Sequence, residues 1–320
     1  MIIEPMDTLL HYEVRKTKAQ KTSCLLAAVS YFRRCGYNPI VEVDKKHNRN
    51  VVVGNPEEAR YLITAHYDTP AQMFLPNRIT PCSLPLYLLW QLLIIGIFYV
   101  ISAIPAIPFL WMEGGALPAF VIWYVAYIAL FALIRYGRAN RHNANDNTSG
   151  VVTVLEIART MPEKLRSQVC FVLFDREEMG LKGSAAYRRR HKAATEHQLV
   201  LNLDCVGDGD EILFFPKKKL CKEADMVASL KTCEGRFGAK GITVRSQGFS
   251  VYPSDQRNFP NGVGIAAFHK GRLGLHLGKI HTHRDTVLDM TNVNILRAAL
   301  ISFVSTDAAK YERNEKNETL

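Results

Sequence analysis

Residues 168–190 read QVCFVLFDREEMGLKGSAAYRRR. From Val169 to Phe174 the side chains are uniformly apolar, with no alternation of polar and apolar positions. That is the pattern of a strand covered on both faces. The run stops at Asp175-Arg176-Glu177-Glu178, Gly180 breaks the turn, and a helix is expected over 181–190. A doubly buried strand followed at once by a helix is a βα unit. The same grammar recurs outward along the chain. Strands are expected at 40–43, 50–53, 61–65, 199–204, 212–215 and 263–268, and helices at 150–160 and 292–310. A further helix, capped by Asp7 or Thr8, is expected to run toward Gly36. The polar tail 311–320 is expected to fray. The fold class is therefore α/β: a three-layer sandwich with a mixed, mostly parallel sheet.

One segment breaks this grammar. Residues 79–112 contain no Asp, Glu, Lys, Arg or His, and 114–134 read GGALPAFVIWYVAYIALFALI. Between Arg78 and Arg135 the only charged residue is Glu113. A bilayer core takes about 20 helical residues, and each stretch is that long. Pro105, Pro108, Glu113, Gly114, Gly115 and Pro118 suit a turn between two spans. The expected organisation is a discontinuous globular domain, residues 1–78 and 136–320, with a transmembrane helical hairpin inserted at 79–135. Arg78 precedes the first span, and Arg135, Arg138 and Arg141 follow the second. The positive-inside rule then places both ends of the hairpin, with the globular domain and both termini attached to them, in the cytoplasm. The first twenty residues lack the apolar core of a secretory signal. A soluble insert with two buried helices is the competing expectation.

Composition narrows the classes further. Hydrophobic residues make up 48% of 320, enough for a large core and too many for global disorder. The 7 Cys are scattered with no C-x-x-C spacing, which fits reduced thiols better than a disulfide framework or a zinc ribbon. The net charge of +10 carries no accompanying nucleic-acid motif, so nucleic acid is not an expected partner. Arg188-Arg189-Arg190 and Lys217-Lys218-Lys219 read as solvated surface, with anionic lipid headgroups as a second reading.

In open α/β sheets ligands bind beyond the carboxyl ends of the strands. Those positions hold His66-Tyr67-Asp68, Asn145-Asp146-Asn147, Glu177-Glu178, Asp204 and His281-Thr282-His283-Arg284-Asp285. Taken singly, each is an ordinary strand terminator or solvated turn. Together they make a cluster of imidazoles and carboxylates that a divalent cation would stabilise, since buried like charges repel. Such a donor set suits Zn²⁺, with Co²⁺ or Mn²⁺ as substitutes. Cys205, beside Asp204, reads as a small buried side chain rather than a ligand.

The motifs A-H-Y-D-T (65–69), N-D-N-T-S-G (145–150), F-D-R-E-E-M-G-L-K-G-S (174–184), N-L-D (202–204), S-D-Q-R-N-F (254–259) and I-H-T-H-R-D-T (280–286) resemble the dizinc aminopeptidases, family twenty-eight of the metallopeptidases in clan MH. The resemblance implies two Zn²⁺. Asp146 would bridge them across a non-proline cis peptide to Asn147. His66 and Asp204 would complete one metal site, and Glu178 and His281 the other. Glu177 would be the general base acting on a metal-bridging water, its side chain diverging from that of Glu178. Asp68 would orient His66, and Asp285 would serve the His281 loop likewise. Gln256 stands where many relatives have His, which bears on substrate-pocket contacts, and Ile280 stands where some relatives carry a Tyr that helps stabilise the oxyanion, a role left to Tyr252 or a hairpin group.

The expected function is therefore a membrane-anchored zinc aminopeptidase. The alternatives are a glutaminyl-cyclase-like transferase, which uses a related fold with one zinc, and a non-catalytic receptor-like domain. Because both hairpin connections leave from the catalytic edge, the active-site mouth is expected to face the bilayer. The expected substrate is a hydrophobic or membrane-associated peptide, with a transporter or a second copy of the chain as partner.

Overall fold

The computed structural model describes residues 11–318. The helices are α1 (Lys18–Arg34), α2 (Leu84–Ala103), α3 (Ala116–Tyr136), α4 (Gly150–Thr160), α5 (Lys182–Arg190), α6 (Lys192–Thr195), α7 (Ala224–Lys231) and α8 (Met290–Glu318). The strands are β1 (Ile40–Val43), β2 (Arg49–Val53), β3 (Tyr61–His66), β4 (Val169–Phe174), β5 (Leu199–Leu203), β6 (Glu211–Pro216), β7 (Gly235–Phe237), β8 (Lys240–Val244), β9 (Gly262–Gly271) and β10 (Gly274–His276). One mixed sheet runs β1-β2-β4-β3-β5-β9-β6-β8-β7, with β10 paired to β9. Its centre, β4-β3-β5-β9, is parallel. Antiparallel pairs close both edges.

The strand period of two builds the three layers. Val169, Phe171 and Leu173 of β4 enter a core shared with α1, α4 and α8. Cys170, Val172 and Phe174 enter a separate core with Tyr187 of α5 and Phe259. All six residues of β4 are buried, as the unbroken apolar run requires.

Two expectations at the chain ends are corrected. The cap at Asp7 or Thr8 lies outside the described residues, and α1 begins at Lys18 behind a different cap. The Thr17 hydroxyl accepts from Gln20 N and the Gln20 side chain reaches back to Thr17 N. This capping box satisfies two amides that the helix itself leaves free. At the other end α8 continues through Glu318 rather than fraying after Lys310. The helices α6 and α7 and the strands β7, β8 and β10 had no sequence expectation. Four of these five elements are shorter than six residues, too short for periodicity to show.

The hairpin helices run 20 and 21 residues, each about 30 Å long at 1.5 Å per residue. Pro105 and Pro108 do not sit in a turn. They lie in a 3-10 segment, Ile104–Trp111, that prolongs the first arm. Proline is compatible with a short 3-10 piece because it lacks only the donor. Both arms are long and apolar enough to cross a membrane, and only 22% and 6% of their most apolar windows are buried. Most of each arm therefore lies outside the cores of the globular domain. Tyr99 packs on Trp123 between the arms, and Phe98 packs on Phe131 and on Phe74 at the base.

Candidate metal centre

The predicted ligands come from five separate segments. His66 is the last residue of β3, Glu178 follows β4, Asp204 follows β5, and His281 follows β10. Asp146 lies in a bent segment, Ala144–Ser149, that leads into α4. The structure brings all five together. His66 Nε2 lies 3.3 Å from Asp146 Oδ1 and 3.5 Å from Asp204 Oδ1. His281 Nε2 lies 3.0 Å from Asp146 Oδ2 and 3.5 Å from Glu178 Oε1. Two three-ligand sets result, His66–Asp146–Asp204 and Asp146–Glu178–His281. Asp146 belongs to both and turns a different oxygen to each.

The bend at Asp146 has a local cause. The Asp146–Asn147 peptide is cis. The Asn147 side chain accepts from Gly150 N and Cys205 N and donates to Leu203 O. A Cβ on Gly150 would meet Asn147 Oδ1 and Leu203 O at 2.4 Å, so this loop closes on the end of β5 only with glycine there. Backbone strain gathers around the ligands. Arg176, Leu181, Cys205 and His281 all have φ between 55° and 61°.

Two carboxylates hold the ligand loops by a common device. Asp68 accepts from the backbone amides of Glu177 at 2.9 Å and Glu178 at 3.3 Å. Asp285 accepts from the amides of Asn145 at 2.8 Å and Asp146 at 3.0 Å. Asp68 also flanks the imidazole that it was expected to orient. The nearest contact to His66 Nδ1 is the Asp68 carbonyl at 3.1 Å, while the Asp68 carboxylate oxygen is 3.6 Å away. Asp285 secures the Asp146 loop rather than the His281 loop. A charged acceptor shared by two adjacent amides fixes a loop more tightly than a neutral one.

Two further expectations are corrected. Glu177 and Glu178 do not diverge, because each offers an atom within 4.8 Å of the other and of His66. The turn after β4, with Arg176 at φ 56° and both amides gripped by Asp68, folds the pair inward. The Tyr252 hydroxyl donates to Asp204 O at 3.1 Å, so its one proton is already used. Gln256 donates to Tyr252 O and accepts from Asn202, a packing role inside the sheet edge. The Cys205 thiol is buried and donates to Asp204 Oδ1 at 3.2 Å, with its pKa pushed well up by burial, then by Asp146 and Asp204.

The electrostatics call for cations. Each imidazole Nε2 faces two carboxylates, yet one ring nitrogen carries at most one proton. Glu178 Oε1 is buried without a hydrogen-bond partner. Burial would lower both histidines, but Asp146, Asp204 and Asp68 push His66 well up. Glu178 and Asp146 likewise outweigh burial and push His281 to about 9. Burial and then the neighbouring carboxylates raise Glu178 to about 8 and Glu177 well above its usual range, against the opposing pull of the histidines. Asp146 stays low despite burial because two imidazoles face it. Protons are thus drawn to the positions that divalent cations would fill, so the donor set fits a metal pair.

Two residues of the site had been given no role from the sequence. Arg15 is buried and donates to Tyr67 O at 2.6 Å and to Thr148 Oγ1 at 2.9 Å, tying the His66 loop to the Asp146 loop. Asp255 is fully buried and bonded to Ser184, and its Oδ2 has no partner. Burial raises its carboxyl to about 7. Arg15 could not be found from spacing, because nothing near it in sequence marks the site it reaches, whereas Asp255 stands in the motif S-D-Q-R-N-F (254–259), which drew attention to Gln256 instead.

Solved structures share this fold at low identity. Porphyromonas gingivalis glutaminyl cyclase is 16% identical with a TM-score of 0.57, covering 95% of this chain and 96% of that one. A Zn-dependent exopeptidase from Parabacteroides distasonis is 13% identical with a TM-score of 0.55, covering 95% and 99%. The LapA aminopeptidase of Legionella pneumophila is 15% identical with a TM-score of 0.54, covering 94% and 68%. These likenesses establish the zinc-exopeptidase fold. No curated protein sequence matches the chain. The model described as Peptidase family M28 matches residues 134–304. That stretch holds four of the five ligands, leaves His66 and most of the hairpin outside, and spans just over half of the 320 residues; the chain belongs to peptidase family M28.

Proposed function

We propose that the protein is a membrane-anchored, dinuclear zinc aminopeptidase. The observation that carries this reading is the shared carboxylate, since Asp146 turns one oxygen to His66 and the other to His281. A site for one cation would need only one of the two sets. When bound, a pair of divalent cations polarises a carbonyl and makes water acidic enough to attack near neutral pH. His66 and Asp204 would hold one cation, Glu178 and His281 the other, and Asp146 both. Glu177 accepts the proton of the attacking water as the new C–O bond forms. It returns that proton to the leaving amine as the C–N bond breaks. Asp68 fixes the backbone that carries Glu177, and so sets where its carboxylate sits.

The anchor rests on the two exposed apolar arms and on the cations that flank them. With Arg78, Arg135, Arg138 and Arg141 on one side and only Glu113 on the other, both ends of the hairpin belong in the cytoplasm. The ligand loops pack at the foot of the hairpin. Gln72 N donates to Arg138 O, and Met73 N donates to the carbonyl of His281 itself. This supports a catalytic mouth near the membrane surface.

Glutaminyl cyclisation is the second reading. The overall fold favours it, since a glutaminyl cyclase matches over nearly the full length of both chains. Both reactions act on a peptide N-terminus, so one experiment separates them. A peptide beginning with Gln, unblocked or N-acetylated, is incubated with the zinc-loaded protein and with its Glu177→Gln variant, and the products are read by mass spectrometry. Chain cleavage confined to the unblocked peptide, with two zinc ions per chain and loss of turnover in the variant, is the expected result. Loss of ammonia without cleavage, with one zinc ion per chain, would establish cyclisation instead.

A further inference from the structure

A cavity of about 860 Å³ opens beside Glu178, and its charge is lopsided. Its wall includes the carboxylates of Asp68, Asp175 and Glu178. Asp175 is cancelled by Lys21 at 2.5 Å, and Asp68 is engaged by two amides. Against these stand Lys16, Lys18, Arg49, Arg135, Arg176 and Lys182. Among the described residues none of the six forms an ion pair with a carboxylate. The donors of four of them meet neutral oxygens instead. Lys16 Nζ donates to Arg135 O, Arg49 to Thr22 Oγ1 and Lys18 O, and Arg176 to Lys46 O and Asn48 Oδ1. Such bonds orient a cation without neutralising it.

The ring is built into the metal centre. Arg135, in the last turn of α3, donates to the carbonyl of Met179, next to the ligand Glu178. Gly180 follows at φ 92°, and a Cβ there would meet the Arg135 guanidinium at 2.9 Å. Like charges in one concave wall focus a positive potential and repel one another unless an anion enters. The neighbouring slot at the foot of the hairpin, lined by Phe74, Phe98 and Leu133, is apolar and smaller, about 300 Å³.

We propose that the cationic cleft takes the acidic side chains of the substrate, so that the centre acts on peptides bearing Asp or Glu beside the scissile bond. The inference rests on the peptidase reading and replaces the hydrophobic substrate expected from the hairpin alone. The six cations line one cavity beside Glu178, and an apolar peptide there would leave the half-buried Lys16, Arg49 and Arg176 without an acidic partner.

Binding tests this apart from turnover. The full chain in neutral detergent, zinc-loaded and carrying Glu177→Gln, is titrated calorimetrically with triglutamate and with triglutamine. Triglutamate is expected to bind about tenfold tighter at low salt. The difference should shrink toward unity near 1 M salt, where the Debye length is about 3 Å. Adding Lys18→Glu and Lys182→Glu should abolish the preference with zinc content unchanged. If that variant misfolds, Lys18→Gln with Lys182→Gln and the salt series decide. Equal binding of the two tripeptides overturns the inference. So does equal binding in which the charge-reversed variant loses only its association with phosphatidylglycerol nanodiscs, which would assign the cations to the membrane surface. A triglutamate preference in a protein that cleaves no peptide leaves the cleft assignment standing and removes the peptidase reading.

Discussion

Strand β4 and helix α2 are both long apolar runs, yet they end in opposite places. All six residues of β4 are buried between two layers of helices. The hairpin arms reach a mean hydropathy of 2.3 and remain mostly uncovered, with Leu92 64% exposed. Hydrophobicity alone says that a segment avoids water. What it packs against is decided by length and neighbours. A six-residue run fits a strand in a sheet, whereas an uncharged run of 20 helical residues matches a bilayer.

The largest effect is expected at the catalytic edge of the buried region. Asp146→Ala removes the one ligand common to both sets, so both zinc ions and all turnover should be lost. A variant that keeps one tightly bound ion, measured by metal analysis, would show the sets to be independent. Next comes the core itself. Phe171→Ala should cost about 3–5 kcal/mol in denaturant unfolding of the globular domain. In the hairpin the sign of the comparison reverses. Leu92→Arg should leave domain unfolding unchanged but oppose insertion by about 2.5–3.5 kcal/mol, read as loss from the carbonate-resistant membrane fraction. If that variant instead unfolds the domain and leaves membrane association intact, the hairpin is part of the core after all.

Smaller still is Asp285→Asn, which weakens the grip on the Asn145 and Asp146 amides. Zinc affinity should fall about 10–100-fold in chelator competition, with the fold retained. The smallest effect is Leu92→Ala, expected within about 0.5 kcal/mol of the parent in domain unfolding. A loss equal to that of Phe171→Ala would erase the distinction between the two regions.

Much of the fold was legible because burial leaves a local trace. The run Val169–Phe174 and the helix Gly150–Thr160 appear where their patterns put them. The start of α1 was missed, since the cap was expected at Asp7 or Thr8 and the helix begins behind Thr17. The ligand residue types could be read at strand ends, while the roles of their supports could not. Asp68 lies two positions from His66 and invites the reading of a histidine partner, yet its carboxylate grips amides 109 and 110 residues away. Arg15 is joined to Thr148 across 133 residues. No pattern along the chain records such contacts.

The sequence by itself determined the α/β class, the ordered set of imidazoles and carboxylates at strand ends, and two uncharged stretches of bilayer length. Only the tertiary structure decided that Asp146 faces both histidines, that Glu177 and Glu178 converge, and that six cations with no carboxylate partner among the described residues line the cleft beside them. The reason is geometric. Propensity and burial act over a few neighbouring residues and so are written in local order. A shared ligand or a charged cleft depends on strand register and loop path, which bring together segments that are remote along the chain.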